Sequence, residues 1–298
     1  MPLRRVASDV GGSSARLRTS GERLGISFLR AGRVGVGMGG RGGSPASPSS
    51  VCERDVFLFV PNVIGYARVV LGVAAFVAAG RGWADAFVGL YVGSFALDAV
   101  DGWAARLLGQ ASRFGGVLDM VTDRTATAAL MLLLAHVAPS HWGAFACLLA
   151  LDVGSHWVHM TASLLDSAGK HHKDAASSRS GLVKLYYTSK VVFAYCCIGA
   201  ELLWVALYIL NARPRGVLAS WGALGFPLPD VFVRGLEAAG LRTALGVAAG
   251  QGLSAVQGLA VACLPGAALK QVTNVAQLIE ASRVVVRIDV DQRRRAKA

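Results

Sequence analysis

Charge is scarce in this chain: Asp, Glu, Lys and Arg make up 16% of its 298 residues, against about 25% in an average soluble domain. So few charges cannot cover a large water-facing surface, which excludes an ordinary soluble globular enzyme and points to a polytopic membrane protein. Acidic groups are the scarcer kind, 18 against 30 basic ones, for a formal net charge of +12. The excess is clustered. Residues 1–50 hold eight Arg against Asp9 and Glu22, and the tail adds Arg293, Arg294, Arg295 and Lys297. Basic clusters flanking apolar segments suit a membrane surface; no motif that reads RNA or DNA is present, so no nucleic-acid partner is expected. Cysteine is equally sparse. None of Cys52, Cys147, Cys196, Cys197 and Cys263 has CxxC spacing, which argues against a thiolate zinc site and a disulfide framework.

What is abundant is apolar sequence, 54% of the chain. Residues 1–52, rich in Gly, Ser and Arg, lack apolar periodicity and read as a disordered basic extension. Their Arg-rich, acid-poor character also resembles an organelle targeting segment, and they contain no apolar run long enough for a secretory signal. From Val56 onward apolar runs alternate with short polar breaks. The pattern predicts an all-α polytopic membrane bundle of about six spans: 56–79, 83–103, 115–138, 141–165, 185–211 and 260–286. Each reaches the roughly 20 residues that cross a bilayer core, and each must be helical because lipid offers the backbone no partner. For the last span there is an alternative: 241–264 crosses and Pro265 starts an interfacial helix. The membrane domain is placed at 53–290, with a basic tail at 291–298. Lys and Arg are denser on the side holding both termini, the 104–114 link and the 166–184 link, so that side is assigned to the cytosol.

The chemistry is concentrated in four aspartates. Asp98 and Asp101 are three apart on one predicted helix, and Asp119 and Asp123 are four apart on the next, so each pair shares a face. The connector is short, so the two helices are expected to be antiparallel neighbours with the carboxylates converging near the cytosolic boundary. Insertion scales assign about 2.5–3.5 kcal/mol to each ionised Asp at mid-membrane. Four uncompensated ones would cost about 10–14 kcal/mol on that scale, as much as a whole domain's stability. Arg106, Arg113 and Arg124 offset part of this. A dense oxygen set with few bases suits Mg²⁺ or Mn²⁺. Gly102 and Gly115 stand where small residues admit close approach of a helix or a ligand. Arg106, one turn past Asp101, carries a planar fork suited to phosphate and equally suits a snorkelling surface position.

These residues form the pattern D-x2-D-G-x2-A-R-x8-G-x3-D-x3-D without departure, and in this the chain resembles the CDP-alcohol phosphatidyltransferases. Pro61-Asn62…Arg68, Asp119–Arg124, Asp152–His159 and Tyr186–Lys190 resemble the family's eukaryotic phosphatidylinositol synthase branch. The likeness covers about 55–211 well and the last span loosely; Ser112 stands where relatives usually carry Thr. The resemblance implies transfer of the phosphatidyl group of CDP-diacylglycerol to myo-inositol with release of CMP. It implies Asp98, Asp101 and Asp119 as ligands of a metal pair, and Asp123 as both ligand and catalytic base. Gly102, Arg106, Ser112 and Gly115 would face CDP-diacylglycerol, with Asn62 and Arg68 beside the nucleotide. A homodimer in the endoplasmic reticulum membrane, its active site towards the cytosol, is also implied.

Three roles fit the stripe of Asp152, His156 and His159: an internal hydrogen-bond network, part of an inositol pocket, or a second metal site. Lys190 can join that pocket, pair with an Asp, or snorkel to the interface. Lys170-His171-His172-Lys173 reads as a solvated loop, while Tyr186, Tyr187 and Trp157 suit an interfacial belt or a substrate wall. Competing functions are the same enzyme with another acceptor (glycerol 3-phosphate, serine or choline), an intramembrane prenyltransferase, and a cation transporter. A prenyltransferase needs a second Asp-rich motif on a distant helix, and there is none. A transporter leaves Gly102, Arg106 and Gly115 without a role.

Overall fold

In a computed structural model, residues 52–168, 189–212 and 253–297 are described, with scattered positions between 213 and 252. The targeting or disordered reading of residues 1–52 (Cys52 apart), the 170–173 loop, Tyr186, Tyr187 and the first half of the 241–264 alternative span, 241–252, fall outside the described residues. A one-turn helix, α1 (Glu53–Phe57), precedes six long ones. These are α2 (Val60–Gly80), α3 (Ala84–Leu107), α4 (Arg113–Val137), α5 (Trp142–Ala168), α6 (Lys190–Ala212) and α7 (Ala255–Arg295). A two-residue antiparallel pair, β1 (Gly225–Phe226) with β2 (Leu253–Ser254), leads into α7. The all-α architecture therefore matches the hydropathy pattern, with one long helix at each of the six expected places.

The shortest of the six has 21 residues, about 31 Å at 1.5 Å per residue, enough for a hydrocarbon core of about 30 Å. By length and apolarity together, α2, α6 and α7 qualify as membrane spans, and α4 with the segment after it qualifies jointly across a 118° bend. The protein is an integral membrane protein. The helices that fall short alone, α3, α4 and α5, are the ones carrying the predicted aspartates and histidines, so the shortfall has a chemical cause.

Local signals set the helix ends. Gly109 (φ +64°) follows α3, and the Gln110 N–H reaches back to the Ala105 carbonyl at 3.1 Å, a left-handed C-terminal stop that favours glycine. Ser112 then caps α4 by accepting from Gly115 N at 2.9 Å. Gln110 Oε1 also accepts from Val60 N at 2.9 Å, so this turn fixes the start of α2 as well. Ser254 and Gln257 form a reciprocal cap on α7. Pro265 does not begin a helix: it lies inside α7. One turn before it, Tyr195 of α6 donates its O–H to the Ala262 carbonyl at 2.7 Å and ties α6 to α7. A Cβ on Gly266 would meet the Tyr195 carbonyl oxygen at 2.9 Å, so glycine permits that approach.

Packing departs from the sequence expectation in one respect. α3 and α4 are not close neighbours; α2 packs against both of them, and α7 packs against α5 and α6. The carboxylate pairs on the two helices repel, and α2 brings a cation that contacts both (below). Away from the Asp-bearing end, Phe76, Phe87, Tyr91 and Tyr208 make an aromatic cluster with centroids 4.5–6.0 Å apart. Beside it Glu201, 5% exposed, accepts from Tyr91 Oη and Thr127 Oγ1, both at 2.9 Å. This carboxylate ties α6 to α3 and α4. Tyr91→Phe removes one donor and leaves Glu201 Oε2 short of a partner, at a cost of about 1–3 kcal/mol; unfolding in detergent is expected to show that loss.

Candidate active site

Depth follows from helix register. Asp98 lies nine residues before the end of α3 and Asp123 ten residues after the start of α4, about 13–15 Å from the turn between them at 1.5 Å per residue. The four predicted aspartates do converge, and they do so on Arg68 of α2. Arg68 Nη1 lies 2.7 Å from Asp101 Oδ2 and 2.8 Å from Asp119 Oδ1. Nη2 lies 2.8 Å from Asp98 Oδ1 and 2.5 Å from Asp123 Oδ1. Arg68 is 2% exposed, so this is a buried cation with four anions around it. One guanidinium against four carboxylates leaves three formal negative charges unbalanced. That surplus of hard oxygen donors fits a divalent cation. Ligand atoms of Asp98, Asp119 and Asp123 lie within 4.8 Å of one another, close enough to share an ion; Asp101 is outside that trio and is linked to it through Arg68.

The remaining signature residues occupy the same end. Arg106 is exposed near the end of α3, folded back so that a Cβ on Gly102 would stand 3.4 Å from its Nη1. Gly115 is required by space: a Cβ there would come within 2.6 Å of Asn62 Oδ1 and 3.1 Å of Ser112 Oγ. Asn62, 1% exposed, donates to the Val56 carbonyl at 2.6 Å and so joins α1 to α2. Asn62 and Ser112 thus hold backbone around the site.

The fourth-span stripe divides. Asp152 is 6% exposed and accepts from Arg124 Nη1 at 2.7 and 2.9 Å and from Asn274 Nδ2 at 3.3 Å. Arg124 Nη2 lies 3.5 Å from Asp123 Oδ2, so Asp152 orients the guanidinium that reaches the cluster. His156 Nδ1 is 2.8 Å from the Asp152 carbonyl oxygen. His159 points outward, and the Lys190 side chain falls outside the described residues although Lys190 opens α6. Asp152 also lines a small cavity with Thr127, Trp204, Lys270 and Gln271. Of the three roles considered for the stripe, Asp152 and His156 show the hydrogen-bonded one.

Sequence reasoning placed Arg68 beside the nucleotide and missed its position at the centre of the acids. It also passed over Glu201, a lone acid in the apolar run of α6 that the rarity of intramembrane carboxylates would have flagged. Gln110 and Asn274 carry no sequence signal of their own. Gly115→Ala is expected to separate Asn62 from α4 and to lower stability by about 1–3 kcal/mol, as overpacking does; a thermal scan in detergent measures it, and an unchanged midpoint would contradict the contact.

Comparison with other proteins agrees with this geometry. The CDP-alcohol phosphatidyltransferase profile matches residues 58–218. The chain is 38% identical over 248 residues to the CDP-diacylglycerol–inositol 3-phosphatidyltransferase of Schizosaccharomyces pombe, covering 82% of this chain and 96% of the relative. It is 36% identical over 239 residues to the probable CDP-diacylglycerol–inositol 3-phosphatidyltransferase 2 of Arabidopsis thaliana, covering 80% and 94% respectively. The Homo sapiens protein named CDP-diacylglycerol–inositol 3-phosphatidyltransferase is 38% identical over 172 residues, 57% of this chain and 79% of that one. No solved structure matches. On its Asp-Gly-Ala-Arg-Gly-Asp-Asp spacing, its helical membrane fold and these likenesses, the chain belongs to the CDP-alcohol phosphatidyltransferase family.

Proposed function

We propose that this protein transfers the phosphatidyl group of CDP-diacylglycerol to a hydroxyl of myo-inositol, forming phosphatidylinositol and releasing CMP. The observation that carries the reading is the convergence of Asp98, Asp101, Asp119 and Asp123 in a chain 38% identical to a protein named for that reaction. Asp98, Asp119 and Asp123, with Asp101 beside them, would hold Mg²⁺ or Mn²⁺. Bound there, the ion supplies charge neutralisation for the diphosphate and for the departing CMP.

The chain's own groups do the rest. Arg106, exposed above Gly102, offers its fork to a phosphate oxygen of the nucleotide lipid. Asp123 accepts the proton of the attacking inositol hydroxyl as the new O–P bond forms and the P–O bond to CMP breaks. Arg124, anchored by Asp152, sits 3.5 Å from the Asp123 oxygen that Arg68 does not touch and fixes that carboxylate's orientation. Displacement is single, with no phosphorylated or nucleotidylated protein. The acceptor is a neutral polyol because the guanidiniums facing the cluster are already committed: Arg68 to four aspartates and Arg124 to Asp152. A phosphorylated acceptor would need a cation of its own. The enzyme acts as a homodimer in the endoplasmic reticulum membrane, with the turn between Arg106 and Arg113 towards the cytosol.

The decisive assay uses detergent-solubilised protein, CDP-diacylglycerol, Mg²⁺ or Mn²⁺, and each alcohol supplied separately. CMP release is expected with inositol and is expected to vanish on chelation with EDTA; product with glycerol 3-phosphate or serine and none with inositol would overturn the acceptor assignment. Asp123→Asn is expected to lose turnover by about 10²–10⁴-fold while still binding the nucleotide lipid. Turnover at the wild-type rate in that variant removes Asp123 from the base role, and a covalent phosphatidyl- or CMP-protein would refute single displacement.

A further inference from the structure

The Arg68 contacts have a stoichiometry that bears on how the acidic cluster is held. A guanidinium carries four Nη hydrogens, and Arg68 meets four carboxylates, two on each Nη. Each aspartate gives it one oxygen: Oδ1 of Asp98, Asp119 and Asp123, and Oδ2 of Asp101. Each therefore keeps its second oxygen clear of Arg68, and that of Asp123 lies 3.5 Å from Arg124 Nη2. Arg68 is 2% exposed, whereas the side chains of Asp98, Asp119 and Asp123 are 36%, 21% and 30% exposed, so the cation underlies the cluster and the acids look outward from it. Arg68 Nε, buried and without a partner, adds no anchor of its own. What fixes the residue is its backbone: Ser94 of α3 donates its hydroxyl to the Arg68 carbonyl at 3.0 Å, pinning α2 against α3 at this position.

From this arrangement we infer that Arg68 is a positioning residue for divalent-metal binding: it draws carboxylates from two poorly contacting helices into one outward-facing set before any ion arrives. The inference rests on the proposed metal role of the aspartates. Without the guanidinium, Asp98 and Asp101 on α3 would repel Asp119 and Asp123 on α4, and each ion would first have to bring the helices together. Lysine cannot substitute, because an ammonium has three hydrogens on one nitrogen and cannot serve four acids at once. A cation that merely competed with metal for the same oxygens would act in the opposite direction, since its removal would tighten metal binding.

Mn²⁺ titration of the full-length protein in detergent, with free ion followed by electron paramagnetic resonance, separates these cases. Arg68→Gln is expected to lose on the order of 10–100-fold in Mn²⁺ affinity, the range found when groups orienting metal ligands are removed. Arg68→Lys is expected to fall between Arg68→Gln and wild type. In EDTA the thermal midpoint of Arg68→Gln is expected to drop below that of the wild type, a gap that saturating Mn²⁺ narrows. Wild-type or tighter Mn²⁺ affinity in Arg68→Gln, with Asp98→Asn losing binding in parallel, overturns the inference and leaves the metal site standing. If Arg68→Gln does not fold, wild-type affinity in Arg68→Lys overturns it equally. Failure of the wild type itself to bind Mn²⁺ removes the metal assignment, and the inference falls with it.

Discussion

The contact on which the site depends is between one buried guanidinium and four aspartates. Ionised carboxylates at membrane depth are costly, about 2.5–3.5 kcal/mol each near the midplane, and four of one sign also repel one another. Arg68 answers both problems at one point, at distances of 2.5–2.8 Å to all four. It compensates only one charge, so the cluster stays anionic, which is the condition a divalent ion requires. A fully neutralised cluster would be more stable and would have no reason to take up metal.

The surrounding polar groups extend this logic outward in layers. Arg124 touches Asp123 and is itself gripped by Asp152, which Asn274 of α7 also contacts. Farther from the turn, Thr127 of α4 and Tyr91 of α3 satisfy Glu201 of α6. Each helix around the site is thereby tied to another by at least one buried polar contact. In lipid, where apolar packing between helices has little hydrophobic advantage over helix–lipid contact, such ties fix register. The small residues act by another route. Gly115 and Gly266 let a side chain or backbone come closer than a Cβ would allow, and Gly109 turns the chain between the two aspartate-bearing helices.

How far the site was legible from the residues varies with the kind of information. Asp98, Asp101, Asp119 and Asp123 announced themselves because a carboxylate in an apolar helix is rare and expensive, and because i,i+3 and i,i+4 spacing puts side chains on one face. Sequence reasoning assigns Ser112 to the substrate and passes over Gly109, although the cap and the left-handed turn they form are set by the residues themselves. The partners of Asp152 are not set locally. Arg124 is 28 residues away and Asn274 is 122 away, and no periodicity links them. The same holds for Glu201, whose donors lie 110 and 74 residues distant.

By itself the sequence determined that the chain is helical, that it lies in a membrane, and that four aspartates stand in two face-sharing pairs with Gly102, Arg106 and Gly115 between them. Those properties follow from hydropathy, helical period and the cost of charge in lipid, all of which act locally. Only the tertiary structure decided that α2 packs against both α3 and α4 at the site, and that Arg68 stands at its centre. The reason is electrostatic and non-local: acidic side chains from two helices repel, and which helix supplies a cation to them depends on packing that no single segment encodes.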